Sequence, residues 1–111
     1  MPDEWANYAR RVADNRNTPS YHRAVAVNVM GARRRAADVA WLRESVRHEY
    51  DPRMLRAYLV ALARAGELHR DVTNTAVARF PALQQTVDYL RGRTDLPSLL
   101  NPHARVAIPA R

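Results

Sequence analysis

Three features are missing from this chain, and each absence removes a class of function. There is no cysteine, which excludes disulfides, thiolate chemistry and metal sites built on thiolates. The three glycines are too few and too scattered for a loop that cradles phosphate. No run of about 18 apolar residues occurs, so no segment is predicted to span a membrane. The first four residues include two acidic ones, Asp3 and Glu4, and precede no apolar stretch, so a secretory signal is not expected.

Lysine is missing as well. All 18 basic residues are arginine, against 11 acidic residues, which gives a formal charge of +7. A GC-rich genome explains this bias, and so does a protein whose guanidinium groups pair with carboxylates or phosphates. A charge of this sign suits nucleic acid, an anionic lipid surface or an acidic protein. Composition does not choose among the three.

The length of 111 residues suits one domain with a modest core. Hydrophobic residues make up 47% of the chain, so its composition is not that of a disordered protein. Many of them are alanines, which bury little apolar area. We therefore expect a thin core that partner proteins help to stabilise.

Apolar spacing predicts an all-α fold: a small bundle of four to five helices in residues 1–92, followed by an extended C-terminal arm, 93–111. The first helix is expected over 3–14. A second begins at the N-cap Ser20 and kinks or ends at Gly31, and a third reaches about residue 50. Trp41 lies off the apolar stripe of the third helix, so either that stripe is broad or Trp41 meets a partner.

The helix predicted over 52–65 has the cleanest pattern, with Leu55, Tyr58, Leu59 and Leu62 on one face. Gly66 is expected to follow it as the C′ residue. Residues 67–74 are expected to form a polar loop, before a short helix over 75–80. A last helix is expected from Pro81 to Gly92.

No catalytic or metal-binding pattern emerges, so the chain is predicted not to be an enzyme and to need no cofactor. After His48-Glu49, the second histidine of an H-E-x-x-H motif would fall at Pro52. The four histidines lie far apart in sequence. His69 and Asp71 could pair as acid and base, but an ordinary polar turn explains them better.

The most informative segment is Tyr50-Asp51-Pro52-Arg53-Met54-Leu55-Arg56. Asp51 and Pro52 suit the N-cap and N1 positions of a helix. Arg53 and Arg56 then lie on the first turn, where the helix dipole disfavours positive charge. This placement predicts a partner that offers carboxylates, with Tyr50 and Met54 packed beneath the arginines. The alternative for Tyr50, Met54, Tyr58 and Trp41 is an ordinary core position, which we favour for Tyr58.

Two further patterns could serve anionic partners. The run Arg33-Arg34-Arg35 is expected to face lipid phosphate or an acidic surface, unless it is simply a solvated face. The segments before and after Gly66 could mimic a helix-turn-helix. However, Glu67 occupies a position that should be apolar, and residues 70–79 contain only two arginines for phosphate contacts. Nucleic-acid binding is therefore the alternative reading.

Residues 36–92 resemble the subunit 7 family, the ubiquinone-binding-protein homologues, of the mitochondrial cytochrome bc1 complex. The resemblance is carried by Asp38-Val39, by the segment 50–56, which is similar to the family's turn into its central helix, and by Phe80-Pro81-Ala82-Leu83. Leu96-Pro97 and Ile108-Pro109 resemble the ending of plant members. The chain departs from the family at Leu68-His69, where the family has Leu-Pro, and at Arg91-Gly92-Arg93, where the family has a strongly charged helix.

The resemblance implies a non-catalytic accessory and assembly subunit, peripheral on the matrix side of the mitochondrial inner membrane. Such a subunit packs against cytochrome b and the core subunits and supports electron transfer structurally. On this basis the expected partner interface comprises Tyr50, Arg53, Met54, Arg56 and Pro81. The expected contact with an anionic surface comprises Arg33, Arg34 and Arg35.

Overall fold

A computed structural model describes residues 3–92 and confirms the all-α prediction: it contains no strand within that range. The expected C-terminal arm, 93–111, lies outside the described residues. Six α-helices follow one another: α1 (Asp3–Asp14), α2 (Ser20–Arg33), α3 (Ala36–His48), α4 (Pro52–Arg64), α5 (Arg70–Arg79) and α6 (Gln84–Arg91). A 3-10 turn, Pro81–Leu83, leads directly into α6.

Both ends of α4 follow the sequence prediction. The Asp51 carboxylate accepts a hydrogen bond from the backbone N–H of Arg53 at 2.9 Å, with Pro52 in the first helical position. Gly66 has φ +77°, a conformation that a residue without Cβ adopts readily. The N–H of Gly66 donates to the Ala63 carbonyl, and the N–H of Glu67 donates to the Leu62 carbonyl. These two bonds are the Schellman pattern that closes a helix.

Two expectations for α2 were wrong, the N-cap at Ser20 and an end at Gly31. Its N-cap residue is Pro19, and the Ser20 hydroxyl donates instead to the Asp51 carboxylate at 3.1 Å. The helix also runs through Gly31 to Arg33. A Cβ on Gly31 would lie 2.7 Å from the Ala61 carbonyl oxygen. Gly31 is therefore a packing residue, which lets α2 lie close against α4.

Helix α5 starts at Arg70, five residues before the helix that the sequence predicts there. Its buried side chains are Val72, Thr73 and Ala76, a narrow stripe in an otherwise polar segment. A helix with so few apolar positions gives little periodic pattern, so the sequence resembles a loop.

The core is centred on α4, which lies against α2 on one side and α3 on another. Seven residues of α4 are buried: Met54, Leu55, Tyr58, Leu59, Ala61, Leu62 and Ala63. Helix α1 contributes only alanines to the fully enclosed interior, namely Ala6, Ala9 and Ala13. Trp41 packs at the margin of the core and meets the Tyr58 ring edge-to-face at 6.0 Å. The stripe of α3 is therefore broad enough to include Trp41.

Candidate functional site

The predicted partner interface begins at the exposed first turn of α4. The Arg53 side chain is 76% exposed, and its Nε lies 3.4 Å from the Asp51 carboxylate. Arg56 is exposed. Partial burial by itself raises the pKa of Asp51. Hydrogen bonds from the Arg53 backbone, the Arg53 side chain and Ser20 outweigh that effect and hold the pKa below its usual value. Asp51 therefore stays ionised, and the helix start is firmly fixed.

The other three residues of the expected interface lie in different environments. Met54 is fully buried in the core, so it offers no surface to a partner, and its inclusion in the interface was wrong. Tyr50 is 70% exposed, and the Arg79 guanidinium stacks over its ring at 4.2 Å. Pro81, two residues after Arg79, is exposed at the start of the 3-10 turn. Of the five residues predicted for the interface, Tyr50, Arg53, Arg56 and Pro81 are therefore exposed.

The three consecutive arginines do not form one surface. Arg33 is half-buried at the end of α2, whereas Arg34 is exposed in a left-handed backbone conformation with φ 58°. Arg35 turns inward: its Nε donates to the Asp38 carboxylate at 2.8 Å, and its terminal nitrogen donates to the Asn7 side chain at 3.1 Å. Arg34 is thus the most accessible of the three for an anionic surface.

Sequence reasoning missed two buried carboxylates. Asp38 is fully buried, and the guanidinium groups of Arg10 and Arg35 lie 3.4 and 2.8 Å from its oxygens. Glu49 is 2% exposed. Its carboxylate accepts hydrogen bonds from Arg16 at 3.2 Å and from the Tyr58 hydroxyl at 3.2 Å.

Arg23 completes the Glu49 cluster. Its guanidinium lies 3.6 Å from the Glu49 carboxylate, and its Nε donates to the Ala13 carbonyl at 2.9 Å. Arg23 and Glu49 are 26 residues apart in sequence, so no local pattern could reveal their pairing. The pair of Arg35 and Asp38, three residues apart, was the one visible sign of a buried carboxylate.

Neither cluster is arranged for catalysis. Both carboxylates are occupied by cations and hydrogen-bond donors, and their burial keeps substrate away. His69 contacts Glu67 at 2.8 Å, while Asp71 pairs with Arg43 at 2.9 Å, so His69 and Asp71 are engaged with different partners. Within residues 3–92, no group of three or more histidine, aspartate or glutamate side chains is placed to hold a metal ion.

Arg79 has a structural role that the sequence did not suggest. It donates to the carbonyls of Val46 at 3.0 Å, Arg47 at 3.0 Å and Glu49 at 2.6 Å. These carbonyls lie at the C-terminal end of α3, where helical partners run out and positive charge is favourable. Arg79 thereby joins α5 to the end of α3.

A second exposed surface lies on α1 and α2, which we call the α1–α2 face. It consists of Trp5, Tyr8 and Val12 on α1 and Tyr21, Val25 and Val29 on α2, which line a shared groove of about 620 Å³. Four of the six large hydrophobic side chains found exposed in residues 3–92 belong to it: Trp5, Tyr8, Tyr21 and Val25. Exposed apolar patches of this kind commonly mark interaction surfaces.

None of the helices in the described range is long and apolar enough to cross a membrane. Comparison with protein-family models, with curated proteins and with solved structures found no match.

Proposed function

We propose that this chain is a non-catalytic binding subunit of a larger assembly, which it joins through the basic surface at the start of α4. The observation that carries the proposal is the exposure of Arg53 on the first turn of a firmly capped helix, with Arg56 exposed one residue beyond that turn. Arginine is unfavourable at this position because the helix dipole is positive there. A partner carboxylate would offset that cost.

The partner is expected to be acidic. The contact between Arg53 and Asp51 is exposed and long, so it contributes little and leaves the guanidinium available. Among the described residues, Arg56 forms no ion pair. The planar guanidinium groups suit bidentate contact with carboxylates. Tyr50 and Pro81 add apolar surface to the contact.

The narrower proposal is an accessory subunit of the mitochondrial cytochrome bc1 complex, on the matrix side of the inner membrane. It is supported by the resemblance of residues 50–56 and 80–83 to the subunit 7 family. Helices begin in both places, at Pro52 and just after the turn that starts at Pro81. The partners would then be cytochrome b and the core subunits, and Arg34 would be the accessible contact for anionic lipid.

The test compares the wild-type chain with an Arg53→Gln/Arg56→Gln variant in a native gel of membranes from the source organism. We expect the wild type to migrate with a large assembly that contains cytochrome b. The variant should bind the assembly at least about tenfold more weakly, because charged contacts at the interface are lost. It should therefore separate from the assembly in the gel. Its helix content and thermal midpoint should match those of the wild type, because both side chains are exposed.

The matched control is Arg47→Gln/Arg70→Gln, which removes two exposed arginines elsewhere. A wild-type chain that migrates alone would contradict the binding-subunit proposal. Migration with an assembly free of cytochrome b would contradict only the narrower one. Equal losses in the control and the test variant would show that net charge, rather than the start of α4, directs the contact.

The alternative function is that of a small arginine-rich helical nucleic-acid-binding protein. The tight turn at Gly66 between α4 and α5 favours it, because a helix-turn-helix needs such a turn. However, the Arg79 guanidinium is committed to the end of α3, which leaves Arg70 as the accessible arginine on α5. Binding to duplex DNA or RNA at low salt, with a steep loss of affinity as salt rises, would support the alternative. We expect no such binding.

A further inference from the structure

The α1–α2 face is an apolar surface whose inner residues, Val12 and Val29, are half-buried against the core, while Trp5, Tyr8, Tyr21 and Val25 are exposed. Trp5, Tyr8 and Val12 recur at spacings of three and four, and Tyr21, Val25 and Val29 recur at a spacing of four. The exposed fractions of Trp5, Tyr8 and Tyr21 are 59%, 56% and 75%. No arginine, aspartate or glutamate lines the groove between the two helices. Its polar side-chain groups are those of Thr18 and His22, the two tyrosine hydroxyls and the indole N–H of Trp5.

Helices α1 and α2 pack against each other along the edge of the chain's own bundle. The short connection of residues 15–19 makes them antiparallel neighbours. Their inner side chains, such as Ala13 and Met30, face the core, while the α1–α2 face lies on the outside. Helices of 12 and 14 residues are about 18 and 21 Å long. Side by side they present a footprint of roughly 20 × 20 Å. Two copies would then bury roughly 800 Å² in total, which is below the about 1,200 Å² of a standard specific interface and suits a weak, reversible association.

The charges at the margin of this face are self-complementary. Glu4 immediately precedes Trp5, and Arg11 immediately precedes Val12, so the two charges lie two helical turns apart along the apolar row. Glu4, Trp5 and Tyr8 line a shallow recess, and the Arg11 guanidinium lies 5.7 Å from the centre of the Tyr8 ring. If two α1 helices pair antiparallel about Tyr8, Glu4 of each copy lies opposite Arg11 of the other.

We propose that two copies of this chain associate through their α1–α2 faces, with a two-fold axis near Tyr8 and reciprocal pairing of Glu4 with Arg11. Two chains that each carry +7 repel one another over most orientations. The α1–α2 face avoids that repulsion, because its groove is uncharged and its margin carries opposite charges. An acidic partner would be attracted instead to the arginines of α4. The dimer does not depend on the binding function proposed above, since neither Arg53 nor Arg56 lines the groove of the α1–α2 face.

The test measures molar mass by light scattering and sedimentation over a wide range of concentration. We expect a reversible change from 12.7 kDa to twice that mass, with a Kd of micromolar order. Tyr8→Glu places like charges across the two-fold axis and should weaken the dimer at least a hundredfold. Tyr89→Glu, which alters a comparably exposed tyrosine on α6, is the matched control and should leave the Kd unchanged.

A charge-swap series tests the reciprocal pairing. Glu4→Arg and Arg11→Glu should each weaken the dimer about tenfold, because each creates two like-charge contacts. The double variant Glu4→Arg/Arg11→Glu should recover most of the wild-type affinity. Far-UV circular dichroism checks that every variant keeps its helices.

Three results would overturn the proposal. One is a chain that stays monomeric at concentrations about a hundredfold above the expected Kd. Another is a dimer that Tyr8→Glu leaves intact. The third is a double variant no better than the single ones. None of these results bears on the Arg53→Gln/Arg56→Gln experiment, so failure of the dimer and failure of the proposed function are distinguishable.

Discussion

At the scale of single residues, the arginines serve the interior as well as the surface. Arg23 is 5% exposed and contacts Glu49, the Tyr58 hydroxyl and the Ala13 carbonyl. Arg79 reaches three carbonyls at once. The guanidinium has five N–H donors in a fixed plane, whereas an ammonium group has three. The absence of lysine therefore has structural consequences, whatever its genomic origin.

Tyr58 makes stability sensitive to alkaline pH. Burial, together with the negative charge of Glu49, raises the pKa of Tyr58 to about 12, although Arg23 opposes the shift. In the unfolded chain a tyrosine titrates near pH 10. Between about pH 10 and 12 the unfolded state loses this proton and the folded state keeps it. The stabilisation is thus complete below about pH 10 and is lost as the pH rises, at up to about 1.4 kcal/mol per pH unit.

The measurement is the urea midpoint between about pH 9 and 12, for the wild type and for Tyr58→Phe. The variant should have lower stability at neutral pH, because Glu49 and Arg23 lose a hydrogen-bond partner. Its stability should fall less steeply above about pH 10. Parallel pH profiles for the two proteins would show that Tyr58 is not the titrating group.

At the scale of the helices, the contact between α2 and α4 depends on Gly31. The two helices run in the same direction: Ser20 meets Asp51 near their starts, and Gly31 meets Ala61 ten residues further along α4. We expect Gly31→Ala to lower the free energy of unfolding. Overpacking against the Ala61 backbone costs about 1–3 kcal/mol, which exceeds the gain in helix propensity of roughly 1 kcal/mol.

Gly92→Ala is the matched control for Gly31→Ala. A Cβ there would meet the Asp88 carbonyl oxygen at 3.5 Å, which is ordinary contact, and its φ is −81°. We expect its urea midpoint to stay near that of the wild type. A Gly31→Ala protein as stable as Gly92→Ala would mean that α2 and α4 can separate slightly without cost.

The helix boundaries show which local patterns determine structure. Asp51, Pro52 and Gly66 act within four residues of the helix end that they define, so their effects were predictable. The end of α3 is different. Its carbonyls are held by Arg79, about 30 residues further along the chain, and no local pattern reports such a contact. Helix α5 was missed for a related reason, since its few buried side chains are defined only by what packs against them.

At the scale of the whole molecule, the charge of +7 should make stability rise with salt. The described part has a radius of gyration of 13.6 Å. The Debye length is about 30 Å at 0.01 M salt and about 8 Å at 0.15 M, so self-repulsion acts across the molecule only at low salt. The ion pairs that the buried carboxylates of Asp38 and Glu49 form with arginines are screened much less. We expect the thermal midpoint to rise by a few degrees over this range.

Arg47→Gln/Arg70→Gln lowers the formal charge by two, and the thermal midpoint of this variant should depend less on salt. The experiment is run at a protein concentration where the chain is monomeric, so that any dimer does not contribute. A midpoint that falls as sodium chloride is added would indicate that surface ion pairs, such as that of Arg43 and Asp71, outweigh the repulsion.

As with the fold, some residues of the candidate surfaces could be predicted from the sequence and others could not. The position of Arg53 at the start of α4 was predictable, because Asp51 and Pro52 define where the helix begins. The exposure of Arg53 and Arg56 was decided by the tertiary structure. Met54, next to Arg53 in sequence, could not be assigned, since the direction of a helical side chain depends on which face the core covers. The α1–α2 face was also missed. Its residues follow a helical period, and the period alone does not say whether an apolar row faces the core or solvent.

By itself the sequence determined the helical class, both ends of α4, the lack of thiol chemistry and the excess of positive charge. These depend on composition or on contacts a few residues apart. Only the tertiary structure decided that Gly31 is a packing residue and that Glu49 lies among Arg16, Arg23 and Tyr58. It also decided which aromatic side chains remain exposed. Those properties arise where segments distant in sequence meet, and burial and pairing exist only once the chain has folded.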